Sequence, residues 1–193
     1  MNTTNIPKRN FVFFLLAVMP FIALIALLTW GQFRTDNSLS KAISHSEFMN
    51  VPSEYRLAAD FTGNDLYTGK LINSNTFSES KVTMVTFWSS WCVSCKSEAA
   101  QIARLYEEYE DSPVQFIGIS IWDETDDAYR YIEKFAVQYP NILDSSGSIA
   151  VAYGVRGVPE KFFINSNGRV VHQINGPSSS SNIRTVVDSL LAS

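Results

Sequence analysis

The sequence predicts an α/β fold in which one mixed β-sheet is covered by helices on both faces. Three observations support this prediction. Residues 81–88 and 114–121 are β-branched and aromatic runs typical of buried strands. Residues 92–110 and 123–139 carry apolar side chains at helical spacing. An Asn-Ser-Asn-Gly turn at 165–168 separates two further apolar runs, as in a β-hairpin. Strands that alternate with helices and end in a hairpin favour a single mixed sheet.

The other predicted elements are shorter. They are a strand at 56–61, turns and loops at 62–80, a strand at 141–144, a helix at 148–153, hairpin strands at 161–164 and 169–174, and a serine-capped helix at 178–191. The predicted order is therefore β-β-α-β-α-β-α-β-β-α.

An apolar run without a single charge, residues 11–30, precedes the predicted domain. A helix of that length spans about 30 Å, the thickness of the hydrocarbon core of a bilayer. The alternative is a cleaved signal peptide, whose apolar region is usually about 7–15 residues long. The greater length favours an uncleaved transmembrane anchor.

The charges beside this run predict its orientation. Lys8 and Arg9 come just before it, so the positive-inside rule leaves residues 1–10 in the cytoplasm. Residues 31–55 are polar and mixed, and we expect them to be a tether. The domain at 56–193 then lies outside, where disulfides form and exchange.

The charge balance argues against nucleic-acid binding. The chain has 193 residues and a net charge of -4, and all 19 acidic residues lie beyond residue 35. The part outside the membrane is therefore strongly acidic, whereas binding to phosphates needs a basic face.

The only two cysteines, Cys92 and Cys95, lie two residues apart where a predicted strand gives way to a helix. The helix N-terminus stabilises a thiolate and lowers the pKa of Cys92. Cys95 lies nearly one turn further on, close enough to attack a mixed disulfide on Cys92. The pair thus supplies a nucleophile and a resolving thiol for thiol–disulfide exchange.

Three other uses of the cysteines are disfavoured. A structural disulfide would close a loop of about four residues and contribute little stability. A zinc site needs two more ligands, and the only histidines, His45 and His172, are distant in sequence, so we expect no metal site. Attachment of haem needs His directly after the second Cys, where Lys96 stands.

Three segments resemble known families. Residues 87–95, FWSSWCVSC, look like the active-site segment of thioredoxin-like proteins. Glu98 completes the CxxCxxE pattern of membrane-anchored, extracytoplasmic reductases. Residues 153–168 are similar to the GVxGxPE-xFxI-xxxG segment of cytochrome c maturation oxidoreductases of the CcmG/DsbE type. The resemblance covers about residues 56–193 and the anchor, and it implies a thioredoxin-like fold with a redox-active Cys92–Cys95 disulfide.

The resemblance also implies roles for residues around the cysteines. Pro159 would be cis and packed beside the CxxC motif, leaving the Val158 backbone free to pair with an extended substrate; the alternative is an ordinary trans proline. Trp91 is expected to contact substrate, and Trp88 fits the core equally well. Two acidic residues keep two interpretations each. Glu98 accepts a proton from Cys95 or complements the helix dipole. Glu160 acts on the site, by repelling or orienting incoming groups or by tuning the thiols, or it is a solvated strand end.

The sequence departs from the family in three places. Val93 and Ser94 stand where the family commonly has proline inside CxxC, which leaves the redox potential open. Thr86 occupies the position of the buried Asp of thioredoxins, which makes Glu98 more interesting as a proton acceptor. Residues 55–77 lack the proline-containing opening common in relatives.

Together these features predict a membrane-tethered thiol–disulfide oxidoreductase, a protein-disulfide reductase without a cofactor. It would lie in the bacterial inner membrane with its domain in the periplasm. Its expected client is the haem-binding CxxCH motif of apocytochrome c, and a membrane electron donor would re-reduce it. One alternative is a general reductase or oxidase of other exported thiol proteins. Another is a non-catalytic copper-binding protein that uses the same two thiols.

Overall fold

The structure, a computed structural model, describes residues 18–27 and 56–193. Residues 18–27 form a helix, α1. Within these two described ranges no helix is both long enough and apolar enough to cross a bilayer. The predicted anchor at 11–30 lies only partly within the described residues, and the N-terminus at 1–10 and the tether at 31–55 lie outside them.

The segment that leads into the domain differs from the prediction. Residues 56–61 form no strand, and only Leu57 makes an isolated bridge, to Arg169. Residues 62–80 are more regular than expected, with strands β1 (Thr62–Asn64) and β2 (Leu71–Asn73) in an antiparallel hairpin, followed by a 3₁₀ helix at Ser74–Glu79. Tertiary contacts hold the hairpin, because the Leu66 N–H donates to the Asn141 carbonyl oxygen at 2.7 Å.

A five-stranded mixed sheet forms the centre of the domain and confirms the predicted α/β class. Its strands are β3 (Val82–Trp88), β4 (Val114–Ile121), β5 (Asn141–Asp144), β6 (Glu160–Asn165) and β7 (Val170–Asn175), in the order β5-β4-β3-β6-β7. Strands β3, β4 and β5 are parallel, and β6 and β7 are antiparallel to their neighbours. The central strand β3 is therefore flanked on both sides, and its C-terminal end leads into the cysteine motif.

Helices cover both faces of this sheet, as predicted. They are α2 (Val93–Glu108), α3 (Thr125–Lys134), α4 (Ser148–Tyr153) and α5 (Ser180–Leu191). Side chains of β3 alternate between the faces. Met84 and Trp88 belong to the apolar cluster that includes residues of α2, α3 and α5. Val85 and Phe87 belong to the other cluster, with residues of α4 and Phe61.

The third helix is shorter than the predicted 123–139. It begins at Thr125 and ends at Lys134, because Ala136 has a positive φ of 52° that a right-handed helix cannot continue through. Asp123 therefore lies before the helix rather than in its first turn.

Candidate functional site

The two cysteines lie at the N-terminus of α2, directly after the central strand β3. Cys92 is the N-cap of α2, and its Sγ accepts a hydrogen bond from the Cys95 N–H at 3.1 Å. The two Sγ atoms are joined in a disulfide. Cys92 is 5% exposed and Cys95 1%. The sulfur of Cys92 therefore lies at the start of a helix dipole, which favours its thiolate when the disulfide is reduced.

A buried carboxylate fixes the loop before Cys92. Asp123 accepts hydrogen bonds from the Ser90 N–H and the Ser90 hydroxyl, both at 2.6 Å, and from the Ser120 hydroxyl at 2.9 Å. The Ser89 hydroxyl also donates to the Ile121 carbonyl oxygen at 2.7 Å. These bonds tie the loop to the end of β4. Asp123 is not a candidate site residue from the sequence, because an acid at that position is typical of a helix start.

Trp88 connects the sheet to the second cysteine from within the core. Its Nε1 donates to the Asn141 side-chain oxygen at 2.9 Å, and its ring stacks on Tyr131 at 4.1 Å between centroids. The Tyr131 hydroxyl in turn donates to the Cys95 carbonyl oxygen at 3.0 Å. Trp88 is 3% exposed, so it is a core residue, whereas Trp91 faces solvent.

Two half-exposed indoles lie on the surface beside Cys92. Trp91 and Trp122 are 55% and 53% exposed, and the Trp91 Nε1 donates to the Trp122 carbonyl oxygen at 3.3 Å. Trp122 has a φ of 50°, which is uncommon for a bulky residue. Gly147 makes room for it, because a Cβ there would lie 2.2 Å from the Trp122 Nε1. Trp122 is not a candidate from the sequence, because it comes close to Trp91 only in the folded chain.

The Val158–Pro159 peptide bond is cis, as the family resemblance implies, and the trans alternative is wrong. The Val158 carbonyl oxygen lies 3.6 Å from the Cys92 Sγ. Pro159 is buried, and Val158 is partly exposed. The backbone of Val158 thus lies at the same surface as Cys92.

Glu160 is 1% exposed, so it is not a solvated strand end. Its carboxylate accepts a hydrogen bond from the Arg156 N–H at 2.9 Å and another from the Gln173 side-chain amide. It therefore ties the turn before Pro159 to the neighbouring strand β7.

Glu98 is buried beneath the cysteine motif and forms an ion pair with Lys161 of β6. The Glu98 Oε1 and the Lys161 Nζ are 2.5 Å apart, and the Ser178 N–H donates to Oε2 at 2.7 Å. Burial raises the pKa of the Glu98 carboxyl, and the Lys161 ammonium opposes this rise. Glu98 lies beyond the first turn of α2, which has no acidic residue, so dipole complementarity does not explain it.

Lys161 is not a candidate site residue from the sequence, in which it is only the first residue of a predicted hairpin strand. Its side chain is fully buried, and burial lowers the pKa of its ammonium while Glu98 opposes that change. The available signal was a charged pair, Glu160-Lys161, at the start of an otherwise apolar strand.

Chemically, the arrangement offers a dithiol–disulfide pair with one sulfur at a helix N-terminus and the other deep beneath it. In residues 18–27 and 56–193, no three His, Cys, Asp or Glu side chains lie together as a metal-binding group. Exchange of the reduced pair with an incoming disulfide, or of the oxidised pair with an incoming dithiol, requires only the two sulfurs and an accessible backbone beside them.

Comparisons with known proteins agree with this chemistry. Residues 56–173 match the model of the AhpC/TSA family. The thiol-disulfide oxidoreductase ResA of Bacillus cereus is 32% identical over 134 residues, which are 69% of this chain and 74% of that protein. The thiol:disulfide interchange protein HelX of Rhodobacter capsulatus is 27% identical over 183 residues, which are 92% of this chain and 96% of HelX.

A solved structure shows the same fold. The crystal structure of a thiol:disulfide interchange protein of the thioredoxin family from Chlorobium tepidum has a TM-score of 0.64 and 23% identity. The match covers 71% of this chain and 97% of that one. The predicted thioredoxin-like fold is therefore confirmed.

Proposed function

Because this chain belongs to the AhpC/TSA family and is a thiol-disulfide oxidoreductase, we propose that it is a membrane-tethered reductase for cytochrome c maturation. The contact between the Cys92 sulfur and the Val158 carbonyl oxygen, 3.6 Å apart, carries the proposal. It places an accessible backbone acceptor beside the attacking sulfur, so an extended substrate can pair there while its disulfide meets Cys92.

The reaction uses both cysteines. The Cys92 thiolate attacks one sulfur of a substrate disulfide, and the other substrate sulfur leaves as a thiolate that takes a proton from water. Cys95 loses its proton and attacks the Cys92 sulfur. A Cys92–Cys95 disulfide forms, and the second substrate thiol is released. Two electrons pass from the enzyme to the substrate, and a membrane electron donor then returns the pair to the dithiol.

The surroundings of the cysteines suit an extended polypeptide client. Trp91 is a half-exposed apolar contact beside Cys92, and the Val158 backbone offers hydrogen bonds without needing a particular side chain. The client we propose is the disulfide form of the haem-binding CxxCH motif in apocytochrome c. A client range that includes other exported thiol proteins is the nearest alternative.

The tether and location belong to this proposal. Apolar side chains of α1 are exposed, among them Met19, Phe21 and Leu27. Helix α1 is part of the uncharged run at 11–30, whose length suits a bilayer. We place the chain in the bacterial inner membrane, with residues 56–193 on the periplasmic side.

Trapping of mixed disulfides tests the mechanism. In Cys95→Ser the resolving thiol is gone, so the full chain should accumulate a covalent adduct with a disulfide-bonded CxxCH peptide. The matched variant Cys92→Ser should form none. Non-reducing electrophoresis and mass spectrometry distinguish the two, and the absence of an adduct with Cys95→Ser would contradict the mechanism.

A genetic comparison tests the client. Staining for c-type haem in cells with and without the gene should show loss of mature cytochrome c in the deletion strain. Restoration by wild type but not by Cys92→Ser is expected. Normal haem staining in the deletion strain would favour the broader range of exported clients.

A further inference from the structure

A buried ion pair lies directly beneath the cysteine motif, and the reaction described above gives it no task. It joins Glu98 of α2 to Lys161 of β6, whose side chains are 6% and 0% exposed. Each partner has a second hydrogen bond, from the Ser178 N–H at 2.7 Å to Glu98 and from the Lys161 Nζ to the Gly176 carbonyl oxygen at 3.3 Å. Burial of two charges is costly in free energy, so such a pair is weak evidence for stability alone.

The ion pair lies one helical turn from Cys95, the residue whose thiol loses a proton in the resolving step. Cys95 and Glu98 are three residues apart on α2, so they share one face of the helix. Cys95 is 1% exposed, and its thiol must lose a proton before its sulfur can attack. A buried thiol has little access to water, and a carboxylate on the same helix face provides an acceptor.

The two phenols near Glu98 do not compete with it for the Cys95 proton. Tyr131 of α3 and Tyr139, which follows α3, interact electrostatically with Glu98. Burial raises the pKa of both phenols, so both stay neutral. From the segment before α5 the carboxylate accepts a hydrogen bond from the Ser178 N–H, which does not titrate. Among the described residues, Lys161 is therefore the ionised side chain that pairs with Glu98.

The carboxylate also has a route to solvent. An open cavity of about 290 Å³ lies where α2 meets the segment leading into α5. Its lining residues are Ser97, Glu98, Gln101, Pro177, Ser178 and Ser179. This volume has room for several waters. A proton that reaches Glu98 can leave through this cavity without passing the substrate.

We propose that Lys161 is a positioning residue of the resolving step, whose ammonium holds Glu98 as a carboxylate ready to take the Cys95 proton. The inference rests on the proposed function and assigns a proton path within it. The proton moves from the Cys95 Sγ to a Glu98 oxygen, and the freed electron pair on Cys95 forms the bond to the Cys92 Sγ. The bond between Cys92 and the substrate breaks, and the substrate sulfur leaves with that electron pair. Glu98 then returns its proton to water in the cavity.

Removal of the ammonium should change how the resolving step depends on pH. In Lys161→Met, burial without a counter-ion leaves Glu98 protonated at neutral pH. We expect resolution to slow about 100-fold at pH 7, the lower end of the range typical of a lost general base, and to recover at higher pH as Glu98 ionises. Lys161→Arg keeps the charge and should restore most of the rate.

The experiment is single-turnover stopped flow on the full chain in detergent, with a disulfide-bonded CxxCH peptide. Formation of the mixed disulfide reports Cys92, and release of the second peptide thiol reports Cys95. We expect Lys161→Met to leave the first phase unchanged and to shift the pH profile of the second phase upward. Lys134→Met, which removes an exposed lysine of α3, should leave both phases unchanged.

The outcomes separate the two proposals. Absence of the first phase in wild type would contradict the proposed function. A normal first phase with a wild-type pH profile in Lys161→Met would overturn this inference alone.

A second variant covers the case in which Lys161→Met does not fold. The double variant Glu98→Gln/Lys161→Met carries a neutral pair and should resolve as slowly as Glu98→Gln, because the two residues act together. Resolution at the wild-type rate in this double variant would also overturn the inference.

Discussion

Replacement of Asp123 by Ala tests how the loop before Cys92 is held. The substitution removes the acceptor of three hydrogen bonds, two from Ser90 and one from the buried Ser120 hydroxyl. A hydrogen bond to a charged group contributes about 1.5–3 kcal/mol. Ser90 is partly exposed and can recover part of its loss from water, whereas Ser120 cannot. We therefore expect a loss of about 3 kcal/mol in the free energy of unfolding.

The assay is urea denaturation of the full chain in detergent, followed by near-ultraviolet circular dichroism. Asp123→Asn keeps one oxygen and should lose only about 1 kcal/mol, because Ser90 can reverse its hydroxyl. Asp126→Ala removes an exposed acid of α3 and should cost less than about 1 kcal/mol. A loss below about 1 kcal/mol for Asp123→Ala would refute the argument that this carboxylate holds the loop.

Three further substitutions test other contacts. Gly147→Ala places a Cβ 2.2 Å from the Trp122 Nε1 at a φ of 74°. We therefore expect a loss of about 1–3 kcal/mol in the free energy of unfolding and an altered tryptophan emission spectrum. An unchanged spectrum would contradict the close contact. Trp88→Phe leaves the buried Asn141 side-chain oxygen without its indole donor. Urea denaturation should show a free energy of unfolding lower by about 1–3 kcal/mol, and a stability equal to that of the wild type would disprove this. Burial lowers the pKa of His172 below 6.5, so its contribution to stability is complete above that pH and is lost as the pH falls through the lowered pKa. His172→Gln should therefore flatten the decline in melting temperature between pH 7.5 and 5, and an identical decline would contradict this assignment.

The central sheet and the cysteine pair could be predicted because their signals are local. Strands β3 and β4 are continuous β-branched and aromatic runs, which only a buried strand explains well. Cys92 is placed by the change from strand to helix at that point. The cis bond before Pro159 came from the family resemblance, since residue chemistry alone favours trans.

The remaining features depend on contacts between distant parts of the chain. The hairpin of β1 and β2 is held through Asn141, about 75 residues further on in the printed sequence. The polar composition of the hairpin therefore predicted a loop, because the contact that stabilises it is not local. Asp123 and Lys161 are charged, and charged residues are usually exposed. Their burial follows from partners, Ser90 and Glu98, that only the fold brings near.

The reduction potential of the Cys92–Cys95 pair tests the account most directly. Equilibration of the full chain with defined thiol–disulfide buffers, read by thiol labelling, gives this value. We expect a potential well below the roughly −120 mV of a strong periplasmic oxidant, because a reductase must pass its electrons to the disulfides of its clients. A value near or above that potential would show that the pair oxidises its clients and would contradict the proposed reductase.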